Sequence, residues 1–356
     1  MARKNSGPKL KRLRDQVIAI TGASSGIGLA TARVAAERGA RVVMSSRNEE
    51  DLRSAVEAIR AGGGRATYCV ADVADAAAVD RIGETALREF GGLDTWVNNA
   101  GVSIYGRLTQ IPMEDKKRLF ETNFWGVVNG CRTAVRLLKH RGGAIINIGS
   151  EVSDRAIPMQ GIYSASKHAV AGYTDALRME LEHDRVPISI TLVKPSAINT
   201  PYVEHARNYM EEGAPALPPP VYAPEVVADA ILRCAERPVR DIIVGGAGRA
   251  QVLLAALAPR LTDLYMERTL FDQMRTNERV QPREGSLERP QRDGRTQGPY
   301  RGHVIKSSAY TRAVLSDAGR ALPLVAIGAI VAAGIAAANR RRVESGTRTE
   351  NAEPRT

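Results

Sequence analysis

Tyr163 and Lys167 stand four residues apart in a stretch of helical periodicity, so the phenol and the ammonium share one helix face. A neighbouring cation stabilises the phenolate and draws a tyrosine pKa of about 10 down toward the operating pH, as a general acid or base requires. Ser150 ends the apolar run before this helix, where its hydroxyl can hydrogen-bond the oxygen of a substrate held against the phenol. Taken alone, Tyr-x-x-x-Lys also describes an ordinary helix with one buried aromatic and one surface charge. The rest of the chain decides between the two.

Thr21-Gly-Ala-Ser-Ser-Gly26-Ile-Gly28 lies where a first strand gives way to a first helix. Gly22, Gly26 and Gly28 let the backbone turn tightly and approach a pyrophosphate, whose charge is stabilised by the unpaired N–H groups of the helix N-terminus. A plain strand-to-helix loop is the alternative. The second strand ends Met44-Ser-Ser46-Arg47-Asn48, with no acid to bond an adenosine ribose 2′-hydroxyl. A carboxylate there would repel a 2′-phosphate and a cation would hold it, so Ser46 and Arg47 favour NADP(H) over NAD(H).

These residues need a frame, and the hydrophobic pattern supplies one. An apolar strand at 16–21 is followed by a helix from about Gly26 to Arg38, and further strands read at 41–46, 65–71, 93–97, 143–149, 186–193 and 240–244, with helical stretches between them. Seven strands alternating with helices predict an α/β fold, a doubly wound parallel sheet covered on both faces. The proline-rich stretch 201–223 reads as a loop, and 250–275 as one or two helices broken at Pro259.

Composition excludes a peptide hormone, a collagen and a disordered chain: 356 residues are 44% apolar and 25% charged, and with only 4% aromatics the core must be made of Ala, Val, Ile and Leu. Cys69, Cys131 and Cys234 lie far apart without a CxxC pair, and the five histidines form no ligand pattern. That argues for a reducing, cytoplasmic setting without disulfides or a metal site. The basic start followed by 17–30 is no signal peptide, because Thr21-Gly22 and Gly26-Ile-Gly28 interrupt the apolar run. Of the net charge of +11, residues 1–15 carry +5 and 276–356 carry +6, leaving the body neutral. A neutral body with few aromatics argues against a nucleic-acid groove.

Thr21–Gly28, Asn98-Asn-Ala-Gly101, Asn123, Ser150, Tyr163-Ser-Ala-Ser-Lys167 and Pro195-Ser-Ala-Ile-Asn-Thr200 occur in the order and spacing of the short-chain dehydrogenase/reductase family, which the chain resembles over roughly residues 14–246. The resemblance implies a Rossmann-like sheet of about seven parallel strands, a nicotinamide dinucleotide as hydride carrier, and a catalytic set of Asn123, Ser150, Tyr163 and Lys167. Tyr163 then gives the proton to a carbonyl or takes it from an alcohol, and Lys167 lowers the tyrosine pKa and holds the nicotinamide ribose. Ser150 polarises the carbonyl, and Asn123 anchors a proton-relay water. It further implies cofactor contacts at Gly22, Ser24, Ser25, Gly26, Ile27, Gly28, Ser46, Arg47, Asp72, Val73, Asn99, Ala100, Gly101, Pro195, Ile198 and Thr200. Asp72 would meet the adenine, Asn99 and Gly101 the cofactor floor, and Thr200 the carboxamide. Family members of this kind form dimers or tetramers, so a homo-oligomer is expected.

Two positions depart from the family pattern: Ser196 replaces the glycine after Pro195, and Glu151 follows the catalytic serine. Glu151 either points to solvent or meets a polar substrate group. Beyond the domain assigned to 16–275, residues 276–320 read as an Arg/Gly/Pro-rich linker arm, 321–338 as an uncharged apolar helix, and 339–356 as a polar basic tail; residues 1–15 form a basic N-terminal tail. At 18 residues the apolar stretch reaches the lower edge for spanning a bilayer. It reads as a membrane anchor, fully spanning or interfacial, or as a core or oligomer helix. Anchoring would place the enzyme among lipophilic carbonyl and alcohol substrates. The reading from another class is a non-catalytic NADP(H)-binding scaffold or sensor at a membrane.

Overall fold

A strand covered on both faces is mostly apolar on both parities, and the runs Val17–Thr21, Gly143–Ile148 and Ile188–Pro195 are buried along their whole length. The computed structural model describes residues 8–210, 212–276 and 285–316. The strands are β1 (Val17–Thr21), β2 (Arg41–Ser46), β3 (Arg65–Val70), β4 (Thr95–Asn98), β5 (Gly143–Ile148), β6 (Ile188–Pro195) and β7 (Asp241–Val244). They form one parallel sheet in the order β7-β6-β5-β4-β1-β2-β3, registered for example by Val17 opposite Arg41 and Asn98 opposite Asn147. The chain leaves β1 outward through β2 and β3, then returns to place β4 on the other side of β1. That reversal opens a crevice at the carboxyl ends of β1 and β4, where such sheets bind ligands.

Helices α1 (Gly26–Glu37), α2 (Glu49–Ala61) and α7 (Pro224–Glu236) cover one face, while α3 (Ala76–Phe90), α5 (Gly126–Leu138) and α6 (Gly161–His183) cover the other. α4 (Met113–Phe120) runs into α5 through a π-helical turn at Glu121–Trp125, and α8 (Gly246–Leu257) and α9 (Pro259–Gln273) form a hairpin beyond β7. α2 begins at a side-chain cap: Asn48 accepts from the Asp51 N–H at 3.2 Å and is followed by three acids in the first turn. The core is built chiefly of Ala, Val, Ile and Leu, with Trp96 and Tyr105 its largest fully buried side chains. Cys131 and Cys234 are buried and Cys69 is half-buried.

The tails differ from expectation. Leu13 of the basic N-terminal stretch is buried, and Lys11 meets Asp94 at 2.6 Å. Residues 285–316, expected as part of a linker arm, run along the domain. Leu287 is only 1% exposed among Val102, Ile104, Ile111 and Leu119; Val304–Ile305 pair with Val221–Tyr222; and α10 (Ala309–Leu315) places the Thr311 hydroxyl under the Gly245 N–H at 3.2 Å. The segment is held by Leu287, by Val304, Ile305, Val314 and Leu315 packed on the core, and by main-chain hydrogen bonds, contacts too scattered along the chain to make a hydrophobic period. The expected apolar helix at 321–338 and the tail 339–356 lie outside the described residues. No helix among the described residues is long and apolar enough to cross a membrane.

Candidate active site

The crevice at the strand ends is a cleft of about 270 Å³. Every expected site residue except Gly28 and Asn123 lines it. α6 carries Tyr163 and Lys167 on the face turned to the cleft. Lys167 is buried and donates to the Ile148 carbonyl at 2.8 Å, with its ammonium 5.7 Å from the centre of the Tyr163 ring. Ser150 leaves the end of β5 and caps the turn Glu151–Ser153, accepting from the Val152 N–H. Burial pulls the Lys167 pKa down to about 8. Tyr163 differs from expectation: burial raises its pKa, outweighing the Tyr202 and Ser150 hydroxyls that act to lower it, while the Glu151 charge adds to the rise. The lysine is itself desolvated, and its proton is directed to a backbone carbonyl, so the four-residue spacing does not by itself yield a phenolate. At neutral pH the phenol is protonated and poised to donate.

Asn123 sits in the π-helical turn, fully buried. Its amide donates to the Val102 carbonyl at 2.9 Å and to Ser166 at 3.1 Å, and its oxygen accepts from the Val102 N–H at 2.8 Å. The side chain is thus committed to fixing the chain at 101–102, which forms the floor of the cleft.

At the glycine-rich turn, Asn99 donates to the carbonyls of Thr21 and Gly22 at 3.0 Å each, and the Thr21 hydroxyl accepts from the Asn99 and Ala100 N–H groups. The turn is so closely drawn that a Cβ on Gly28 would stand 2.2 Å from the Gly22 oxygen, and Gly22 itself has a φ of +64°. Ser25, the N-cap of α1, makes no side-chain cap hydrogen bond, so its side chain does not occupy the main-chain donors of the first turn. Thr122, which also lines the cleft, has a buried hydroxyl without a protein partner. This part of the site fits a dinucleotide.

The adenosine end is more crowded. Arg47 reaches Asp72 at 3.9 Å and gives its other donors to the carbonyls of Ser286, Leu287 and Glu288. The Gly26 N–H, expected to face a phosphate, donates to the Arg295 carbonyl at 2.9 Å. Burial acts to raise the Asp72 pKa, but the Ala74 N–H and the Arg118 guanidinium outweigh it and hold it low.

Glu151 does not point to solvent: it lines the cleft beside Ser196. A Cβ on Gly248, in the first turn of α8, would lie 2.2 Å from both the Glu151 carboxylate and the Ser196 hydroxyl. Burial pushes the Glu151 pKa up to about 7, with the Ser196 hydroxyl acting the other way. A carboxyl whose folded pKa is raised holds its proton more tightly in the folded chain between 4.5 and about 7. The folded state therefore loses stability as pH rises through that window. Glu151→Gln is expected to remove this dependence, gaining on the order of 2–3 kcal/mol over the wild type at pH 8 relative to pH 5. Urea midpoints at the two pH values check it, and parallel curves would refute it.

Tyr202, Gln160, Ser103 and Arg118 belong to the site without any motif that marks them. Tyr202 packs edge-on to Tyr163 with ring centres 5.6 Å apart, and Gln160 donates to the Tyr202 and Ser103 hydroxyls at 3.1 and 3.0 Å. The position of Tyr202 just after Thr200 is the one available hint.

A family model described as short chain dehydrogenase matches residues 16–211. The chain is 46% identical over 308 residues to the protein named uncharacterized oxidoreductase YxnA of Bacillus subtilis, covering 86% of each. It is 38% identical over 200 residues to the 3-ketodihydrosphingosine reductase of Bacteroides thetaiotaomicron, covering 56% of this chain and 70% of that one. Among solved structures, a short chain dehydrogenase/reductase from Burkholderia phymatum in complex with NAD superposes with a TM-score of 0.62 at 27% identity, covering 73% of this chain and 98% of that chain.

Proposed function

The chain belongs to the short-chain dehydrogenase/reductase family of NAD(P)-dependent oxidoreductases, and from that premise we propose that it moves a hydride between NADP(H) and the carbonyl or secondary alcohol of a lipophilic substrate. The observation that carries the reading is the Tyr163 phenol in the cleft with Lys167 behind its ring and Ser150 beside it. In this reading Tyr163 protonates the carbonyl oxygen during reduction, Ser150 hydrogen-bonds that oxygen, and Lys167 holds the nicotinamide ribose and supports the phenol's charge in the reverse direction. The nicotinamide, when bound, supplies or accepts the hydride. The Asn123 side chain is occupied, so a relay water would be met by its main chain.

NADP(H) is favoured by two guanidinium groups near one another, Arg47 and Arg118, whose side chains are only 19% and 14% exposed. Paired cations in such a place call for anionic partners, and a 2′-phosphate is a dianion of the right kind. A lipophilic substrate is supported by the apolar wall on the Tyr163 side, where Ile157, Leu217 and Tyr202 line the cleft in front of Met210, Met266 and Met274. Methionines adapt to irregular chains. The outer face of the α8–α9 hairpin leaves Leu257 and Leu261 76% and 66% exposed, which favours contact with a lipid surface. The likeness to a relative named for 3-ketodihydrosphingosine points the same way.

The test is NADPH oxidation over a panel of short- and long-chain carbonyl compounds, offered in buffer and on anionic vesicles. NADPH is expected to be used ~10-fold better than NADH, the worth of a charge-assisted phosphate contact, with long-chain compounds turned over best. Cofactor binding without turnover anywhere in the panel would leave the scaffold reading in its place.

A further inference from the structure

Residues 285–298 cross the adenosine end of the cleft and satisfy the donors a phosphorylated adenosine would use. Arg47 binds three consecutive carbonyls, those of Ser286, Leu287 and Glu288. Asn48 donates to the Gln291 carbonyl at 3.1 Å, and the Gly26 N–H to the Arg295 carbonyl at 2.9 Å. The Glu288 carboxylate lies 3.6 Å from Arg118, the same guanidinium that holds Asp72. Ser286, Pro290 and Gln291 line the cleft directly. The remaining volume of about 270 Å³ falls below the range of roughly 300–1,000 Å³ typical of sites for drug-sized ligands, and a dinucleotide is larger than most of those.

We propose that this segment is a displaceable strap that occupies the adenosine-phosphate subsite with its own carbonyl oxygens, and that Glu288 and Arg118 determine which cofactor displaces it. The proposal deepens the NADP(H) reading and rests on it for the identity of the natural displacer. The strap's charged attachments are weak enough to exchange. Glu288 is 60% exposed, and the pairs of Arg292 with Glu50 and of Arg295 with Glu204 involve side chains that are at least half exposed on the arginine side. Exposed ion pairs of this kind contribute little. Its firm points flank the subsite: Leu287 in its apolar seat, and Asp293, whose carboxylate meets His205 at 2.9 Å and whose N–H donates to Asp51 at 2.9 Å. A cofactor carrying a 2′-phosphate offers Arg47 and Arg118 a dianion in exchange for carbonyls and one exposed carboxylate. A cofactor with a free 2′-hydroxyl offers them nothing comparable, and Glu288 stays paired.

The experiment uses the full chain. Hydrogen exchange of peptides covering 286–298 is followed without cofactor, with NADP+ and with NAD+, and both dissociation constants are measured for the wild type and Glu288→Gln. NADP+ is expected to speed exchange in the strap, and Glu288→Gln to tighten NADP+ by ~5-fold, about what one partly exposed charge pair is worth, while changing NAD+ less than twofold. Strap exchange that slows or stays the same with NADP+ would overturn displacement, describing a fixed lid instead. An unchanged NADP+ constant in Glu288→Gln would overturn the role of Glu288. A wild type that binds NAD+ the tighter would refute only the cofactor reading, because the variant would still gain affinity for NADP+.

Discussion

Replacing Tyr163 by Phe is expected to lower kcat for carbonyl reduction by ~10³-fold, within the usual contribution of a positioned general acid, with little change in fold or in cofactor binding. The ring stays: its edge-on contact with Tyr202 and the Lys167 ammonium 5.7 Å from its centre need no hydroxyl. What goes is the proton. Burial holds that proton on the oxygen at neutral pH, so the wild type should reduce at a rate nearly flat between pH 6 and pH 8. Oxidation, which needs the phenolate, should climb with pH over the same range. Steady-state kinetics in both directions with cofactor titrations alongside will show this. Equal turnover by the two proteins would remove Tyr163 from the chemistry, whatever became of the fold.

The second large effect is expected from Gly28→Ala. The added methyl would be placed 2.2 Å from the Gly22 carbonyl oxygen and 2.6 Å from the Asn99 amide. Neither can retreat cheaply, because Asn99 is the clamp that joins the turn to the end of β4. Relief requires α1 to move off the turn. Overpacking of this kind costs about 3 kcal/mol, and the same displacement should weaken cofactor binding by ~100-fold. Gly172→Ala is the control: a Cβ there meets nothing within 4 Å, and it lies inside α6, so alanine should stabilise by roughly 0.5–1 kcal/mol. Thermal unfolding and cofactor titration of the pair check both statements, and a Gly28→Ala protein that binds normally would mean that the turn tolerates what its geometry forbids.

The sheet was legible because most of its strands are short apolar runs with Gly, Asp or Asn at one or both ends, and the order of the helices between them leaves little choice of topology. The Tyr163–Lys167 spacing and the glycine turn were legible for the same local reason. What escaped notice is set by distance along the chain. Glu151 is turned into the cleft where α8, nearly a hundred residues later, brings Gly248 against it. Arg118 enters the site because α4 aims it at Asp72. The raised Tyr163 pKa is a sum in which burial exceeds the hydroxyls of Tyr202 and Ser150, and no spacing rule reports how deeply a residue will lie. Residues 285–316 have a linker's composition, and the apolar residues by which they dock, Leu287, Val304, Ile305, Val314 and Leu315, are too widely spaced to show a period.

The hydrogen bonds of Arg47 to residues 287 and 288 join positions 240 and 241 apart, and closing so long a loop is entropically among the last steps any chain takes. Synthesis delivers the chain from its N-terminus, and all seven strands of the central sheet end by Val244. The nascent polypeptide can therefore complete its sheet, and bare its nucleotide crevice, before the segment that later crosses it has emerged from the ribosome.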